Sequence, residues 1–228
     1  MNITADHWLE TALRRPLPGG AKMPVRRFLV IHFTSGASAE SSIQFWRTPA
    51  AKGASAHLVI DRDGTVYQTR PFDRTCGHAG VSEWQGFKNL NTCTIGIELA
   101  NAGNDARLAQ RWTKLPLVSA KHKNGGPYKR WEAYPLAQLA ACEAVSKALV
   151  TRYHLDDIVG HDDIAPTRKN DPGPAFPLDH LRRSVQRRLS RECPSPIHRV
   201  TRTTHECAKL VKSRLEHIFD SRRGRHLC

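Results

Sequence analysis

Apolar residues along this chain fall into short runs, and the spacing within each run decides between strand and helix. Phe28-Leu29-Val30-Ile31 is a continuous apolar stretch of the kind that forms a buried strand, predicted over about 27–32 and closed by His32. Ser35-Gly36 leads into a helix over Ala37 to Trp46, with Ser35 or Ser38 available as its cap. Ala56 to Ile60 and Thr65 to Gln68 flank Asp61-Arg62-Asp63-Gly64, whose Asp-Gly pair signals a β-hairpin. Thr92 to Leu99 reads as the next strand, ending on Glu98-Leu99. The polar stretch over 101–130, punctuated by Gly and Pro, predicts a long loop bordering a groove. Pro135 then starts a helix with Leu136, Leu139, Cys142, Val145, Leu149 and Tyr153 at helical spacing, which leads into a strand at Ile158-Val159-Gly160. A last helix is expected over Leu178 to Leu189.

Strands alternating with helices, plus one hairpin, predict an α/β fold: a central mixed β-sheet flanked by helices. The organisation read from the sequence is a lead over 1–25, a main domain over 26–191 and a C-terminal extension over 192–228. The lead has a short amphipathic stretch, Ala5 to Leu13, broken by Pro16-Leu17-Pro18-Gly19-Gly20. The extension follows a composition break at Cys193-Pro194-Ser195-Pro196; its Cys207, Leu210, Val211, Leu215, Ile218 and Phe219 suffice for one amphipathic helix but not for a second core.

Charge changes the picture mainly at the C-terminus. Of the net +14, residues 181–228 carry +9, with 13 Lys and Arg against 4 Asp and Glu. Such a tail suits a polyanion: nucleic acid, anionic lipid or bacterial wall polymer. Phe219 is its only aromatic apart from histidine, so specific recognition of nucleic acid is not expected, and salt-dependent adhesion to DNA would prove little. No apolar run approaches 18 residues and the N-terminus lacks a signal-peptide layout. A cytoplasmic, monomeric protein is the expectation, with release to the wall by a holin or a secretion machine as the other route. Six cysteines without framework spacing read as reduced thiols.

The candidate chemistry rests on four separated residues. His32 and His161 each follow a predicted strand, and Asp171 lies ten residues after His161. Two imidazoles and a carboxylate leave a fourth tetrahedral position on zinc for water, whose pKa zinc lowers toward ~7. Glu98, at a strand end, can take that water's proton and pass it to a departing amine. Lys169 can set an ammonium against an oxyanion, and Pro172 biases Asp171 toward extended backbone.

With these residues in view, the chain resembles the zinc-dependent N-acetylmuramoyl-L-alanine amidases of the AmpD and phage-lysozyme type, relatives of the peptidoglycan recognition proteins. The resemblance covers roughly residues 26–190. It runs through Val30-Ile31-His32-Phe33-Thr34, Ser55 to Ile60 with Asp63-Gly64, Gly77-His78-Ala79-Gly80-Val81-Ser82 with Trp84, Asn91, Thr94 to Leu99, and Gly160-His161-Asp162-Asp163-Ile164-Ala165-Pro166 through Lys169 and Asp171-Pro172-Gly173-Pro174. It implies one zinc per chain on His32, His161 and Asp171, Glu98 as base, Lys169 at the oxyanion, and His78, Trp84 and Asn101 along the substrate groove. The implied reaction splits the amide between N-acetylmuramic acid and L-alanine in peptidoglycan or muropeptides. Cys76 departs from the family, where an aromatic is common, which bears on groove packing. Asp171 in place of a cysteine puts the chain nearer the AmpD-like branch.

Blander readings stand beside these. A single histidine is more often a hydrogen-bonded core or surface residue than a ligand, and His57 is expected to be structural. Cys193, His198, His205 and Cys207 fit no standard zinc-finger spacing. Two alternatives to a wall-lytic enzyme remain: a non-catalytic peptidoglycan-binding protein, and a recycling amidase acting on soluble anhydro-muropeptides.

Overall fold

The computed structural model describes residues 1–192. A six-stranded sheet runs in the order β1-β4-β3-β7-β2-β10. Its strands are β1 (Leu13–Arg14), β2 (Phe28–Phe33), β3 (Leu58–Ile60), β4 (Val66–Gln68), β7 (Thr94–Leu99) and β10 (Asp157–Gly160). Two small hairpins, β5 (Glu83–Trp84) with β6 (Phe87–Lys88) and β8 (Leu117–Ala120) with β9 (Lys129–Glu132), stand apart from it. The helices are α1 (Ala39–Trp46), α2 (Ala106–Trp112), α3 (Leu136–Tyr153), α4 (His161–Ile164) and α5 (Leu178–Glu192).

The heart of the sheet, β3-β7-β2-β10, is parallel, with β4 antiparallel to β3 across the expected hairpin. Gly64 takes φ +88° in that turn, a value costly for any residue with a Cβ. Side chains alternate faces along a strand. Leu29 and Ile31 of β2, Ile95, Ile97 and Leu99 of β7, and Leu58 and Ile60 of β3 point into the main core, where Cys142, Val145 and Leu149 of α3 and Leu181 and Val185 of α5 cover them. Leu9 and Met23 of the lead belong to the same core. The opposite face takes Phe28, Val30 and Val159 beneath Ala79, Leu90 and Ile164, and Val59 beneath α1. Ser38 caps α1, its hydroxyl accepting from Ser41 N at 3.1 Å.

The amphipathic Ala5–Leu13 lead folds through turns and an Ile3–Leu9 bridge into edge strand β1. Two expectations are corrected. The predicted loop over 101–130 contains α2, whose Asp105 side chain accepts from Arg107 N and Leu108 N, and then the β8–β9 hairpin. Leu136, read as the start of the buried stripe of α3, is 85% exposed; Gln138 is buried instead, donating through Nε2 to Ile60 O and Ala100 O. The C-terminal helix expected over 204–220 and the Cys193, His198, His205 and Cys207 pairs lie outside the described residues. Among the described residues, no helix is long and apolar enough to cross a membrane, and Cys76, Cys93 and Cys142 are free thiols.

Candidate active site

Alternation and register bring the site together. His32 shares the face of Phe28 and Val30, and it stands beside Glu98 in the parallel β2–β7 register. Gly160 pairs with Ile31, so the next residue of that chain, His161, arrives beside His32 as α4 begins. All three lie at the carboxyl ends of parallel strands, where open α/β sheets place their ligand sites. The loop after α4 returns Asp171 to the same point. His32 Nδ1, His161 Nδ1 and Asp171 Oδ2 stand 2.9–3.0 Å from one another, and all three residues are buried.

The outer hydrogen bonds assign the protons of both imidazoles. Thr94 Oγ1 donates to Leu90 O at 2.6 Å, so that hydroxyl, like the Thr94 carbonyl, faces His78 Nε2 as an acceptor at 3.2 and 3.4 Å. His78 Nε2 therefore carries a hydrogen, and its Nδ1 is left to accept from His32 Nε2 at 3.0 Å. Nδ1 of His32 then presents a lone pair. Likewise, His161 Nε2 donates to Ala79 O at 3.1 Å, which leaves Nδ1 as the ring nitrogen turned inward toward His32 and Asp171. Burial, followed by the neighbouring His161, lowers the His32 pKa to about 4, so this ring is neutral at pH 7. Two imidazole nitrogens and a carboxylate oxygen, buried and converging within 3.0 Å of one another, fit a bound cation.

Room for this relay depends on Gly96: a Cβ there would lie 2.6 Å from Cγ of His78. His57 is structural, as expected. Its Nε2 donates to Arg74 O at 2.7 Å and its Nδ1 accepts from Gly96 N at 3.1 Å, and burial lowers its pKa to about 4.

A cleft of about 930 Å³ opens over the cluster. His78, Glu98, His161, Lys169 and Asp171 line its floor. Glu98 is half-buried, and its Oε2 has no hydrogen-bond partner among the described residues. Burial first, then the Asp171 charge, pushes the Glu98 carboxyl up to about 8, against the opposing pull of Lys169. Sequence reasoning missed the aromatic rim of Phe45, Trp46 and Trp112; Trp112 sits at the end of α2, in the stretch read as loop, where the Asp105 cap was the available signal.

Trp84 and Asn101, expected in the groove, are elsewhere. Trp84 packs against the Phe28–Val30–Val159 cluster and donates through Nε1 to Asp157 Oδ2 at 3.2 Å. Asn101 is buried, bridging Glu132 O and Gly103 N. Cys76 is buried beside Ser55 and Arg70, with its thiol pushed up to about 11 by burial.

Comparisons with known proteins agree with this architecture. AmiD of Escherichia coli (strain K12), an N-acetylmuramoyl-L-alanine amidase, is 34% identical over 170 residues, covering 71% of this chain and 54% of AmiD. The 1,6-anhydro-N-acetylmuramyl-L-alanine amidase AmpD of Citrobacter freundii is 38% identical over 133 residues, covering 58% of this chain and 57% of AmpD. The chain thus spans little more than half the length of these relatives. Among solved structures, a selenomethionine derivative of AmpD superposes with a TM-score of 0.58 at 31% identity, covering 81% of this chain and 99% of that one. E. coli AmiD, in complex with anhydro-N-acetylmuramic acid-L-Ala-D-γ-Glu-L-Lys, gives 0.56 at 30% identity, covering 74% and 60%. A family model described as N-acetylmuramoyl-L-alanine amidase matches residues 21–174, a span that holds every residue of the cluster and its cleft, and the chain belongs to that family.

Proposed function

We propose that this protein is a zinc-dependent N-acetylmuramoyl-L-alanine amidase that hydrolyses the amide between the lactyl group of N-acetylmuramic acid and L-alanine in peptidoglycan or its fragments. The observation that carries the reading is the convergence of the His32, His161 and Asp171 lone pairs at the floor of a cleft that also holds Glu98 and Lys169. An N, N, O donor set with room for a fourth ligand suits zinc, which supplies a Lewis acid for the amide carbonyl and draws the pKa of water toward ~7.

His78 holds His32 in the tautomer that can bind the metal, and Ala79 O does the same for His161. Among the described residues Glu98 Oε2 has no hydrogen-bond partner, and in the ionised form that the Lys169 charge favours, Glu98 takes a proton from the attacking water and returns it to the amine of L-alanine. The Lys169 ammonium faces the same space and balances negative charge that develops on the carbonyl oxygen. The peptide named in the AmiD complex supports a substrate with a γ-linked glutamate after L-alanine.

The test is mass spectrometry of products after incubation with intact sacculi and with soluble muropeptides, with and without a chelator. Peptides with a free L-alanine N-terminus, lost on chelation, are expected. Glu98→Gln is expected to keep its zinc and lose about 10²- to 10⁴-fold in kcat. Intact substrates of both kinds, or a Glu98→Gln variant that turns over at the wild-type rate, would overturn the respective assignment.

A further inference from the structure

Beside the main cleft lies a second hollow of about 310 Å³, between the β8–β9 turn and the 166–170 loop. The two spaces share Arg168, Lys169 and Asn170, so the hollow is a continuation of the cleft on its Lys169 side. Its lining includes Lys129, Arg168 and Lys169 and contains no carboxylate. Among the described residues, none of these three cations forms an ion pair; Arg168 donates only to the carbonyls of Ala79 and Val81. The segment supplying one wall is itself one-signed: residues 106–131 carry seven Lys and Arg and no Asp or Glu.

The wall is fixed in place. His122 Nε2 meets Asp162 Oδ2 at 2.9 Å, Lys123 pairs with Asp162 and Asp163, and Asn124 Nδ2 donates to Asp162 O at 2.8 Å. A hollow lined by cations that form no ion pair among the described residues focuses a positive field at its mouth. The opposite arm of the main cleft differs in kind: Phe45, Trp46, Ser41 and Ser42 offer aromatic faces and hydroxyls without charge.

We propose that the hollow is an anion subsite that takes free carboxylates of the peptide stem, so that the stem runs from the scissile amide past Lys169 toward Lys129 while the uncharged sugar lies toward α1. This rests on the amidase reading and adds a direction and a specificity to it. A γ-linked glutamate leaves its α-carboxylate free close to the scissile bond, where Arg168, on the boundary shared by the two spaces, can receive it. Carboxylates further along the stem then fall to Lys129, whose ammonium is exposed at the rim.

The experiment compares two muropeptides that differ only at the γ-linked glutamate and the stem terminus, one with free carboxylates and one with both converted to carboxamides. The expected result for the zinc-loaded full chain is a KM about ten-fold lower for the free acid, the effect of one charge-assisted hydrogen bond, shrinking as salt is raised. Lys129→Glu levels that preference and Lys129→Arg keeps it. Equal KM values for the two substrates in the wild type, or an undiminished preference in Lys129→Glu, overturn the subsite while leaving the amidase intact. If the wild type cleaves neither substrate, the amidase reading itself fails and takes the subsite with it.

Discussion

Strands β2 and β7 are buried along nearly their whole length, with the main apolar core on one face and, on the other, an apolar cluster over β2 and the His57 and His78 rings over β7, whereas the excursion from Asn101 to Tyr134 is fastened largely by charges. Its end is held by Glu132, fully buried, which Arg62 clasps through Nε and Nη2 at 2.7 and 3.1 Å, with Thr113 Oγ1 donating at 3.2 Å and Ala102 N adding a fourth bond. Its turn is held by the His122, Lys123 and Asn124 contacts to Asp162 and Asp163. The first region places the candidate metal ligands by burial and register, which are unforgiving. The second places a wall of the cleft by polar staples, which can be removed singly. The contrast predicts that damage in the sheet abolishes chemistry, while damage in the excursion changes stability and substrate handling first.

The largest effect is expected at a ligand. His161→Ala removes one of three donors, and the zinc affinity lost should exceed the roughly 10- to 100-fold typical of an outer partner, with activity falling to background. Metal content by mass spectrometry and turnover on muropeptides check this together; stoichiometric, tightly held zinc in the variant would break the assignment. Next is the excursion's own staple. Glu132→Ala removes a fully buried carboxylate and leaves the half-buried Arg62 guanidinium, the Thr113 hydroxyl and Ala102 N without it, and should cost about 3 kcal/mol, read as a lowered midpoint in urea unfolding. A cost under about 1 kcal/mol would mean that the pair is not what holds the segment.

Smaller and more specific is the relay. His78→Ala leaves Nε2 of His32 without an acceptor, so the ring is free to take the other tautomer. Zinc affinity should drop by roughly 10- to 100-fold while the fold is kept. Nitrogen NMR of the histidine rings in the metal-free wild type should find His32 and His161 protonated at Nε2. A zinc affinity in His78→Ala equal to wild type would reduce His78 to a packing residue.

The same contrast explains what could be read from the sequence. Period-two alternation through Phe28, Val30 and His32, and through Thr94, Gly96 and Glu98, marks a shared face, and parallel pairing brings those strand ends together, so the candidate ligands and base were legible. The excursion was not, because its fastening through Glu132, His122 and Lys123 leaves no hydrophobic period to detect. Leu136 misled for a related reason. The first turn of α3 is tied to the ends of β3 and β7 by the Gln138 amide, which turns Leu136 to solvent. Trp84 misled by its neighbours in sequence, since the β5–β6 hairpin carries it away from His78 and onto Asp157.

The smallest effect tests whether the excursion is a separable unit. His122 makes one polar contact to Asp162, on the first turn after a candidate ligand, yet the rest of the β8–β9 hairpin keeps Lys123, Asn124 and the Trp131 Nε1 bond to Ala120 O. His122→Ala should therefore cost only about 1 kcal/mol globally. Its effect should be local: faster amide hydrogen exchange across residues 117–132, with the amides of β2 and β7 unchanged, as expected when a segment opens below the global unfolding free energy. Because the hollow depends on that wall, the free-acid preference should weaken in parallel, with kcat on the amidated substrate less affected. Uniformly faster exchange, reaching β2 and β7, would show instead that the charged staples and the apolar sheet form one cooperative unit. In that case the wall could not be altered without disturbing the ligands behind it.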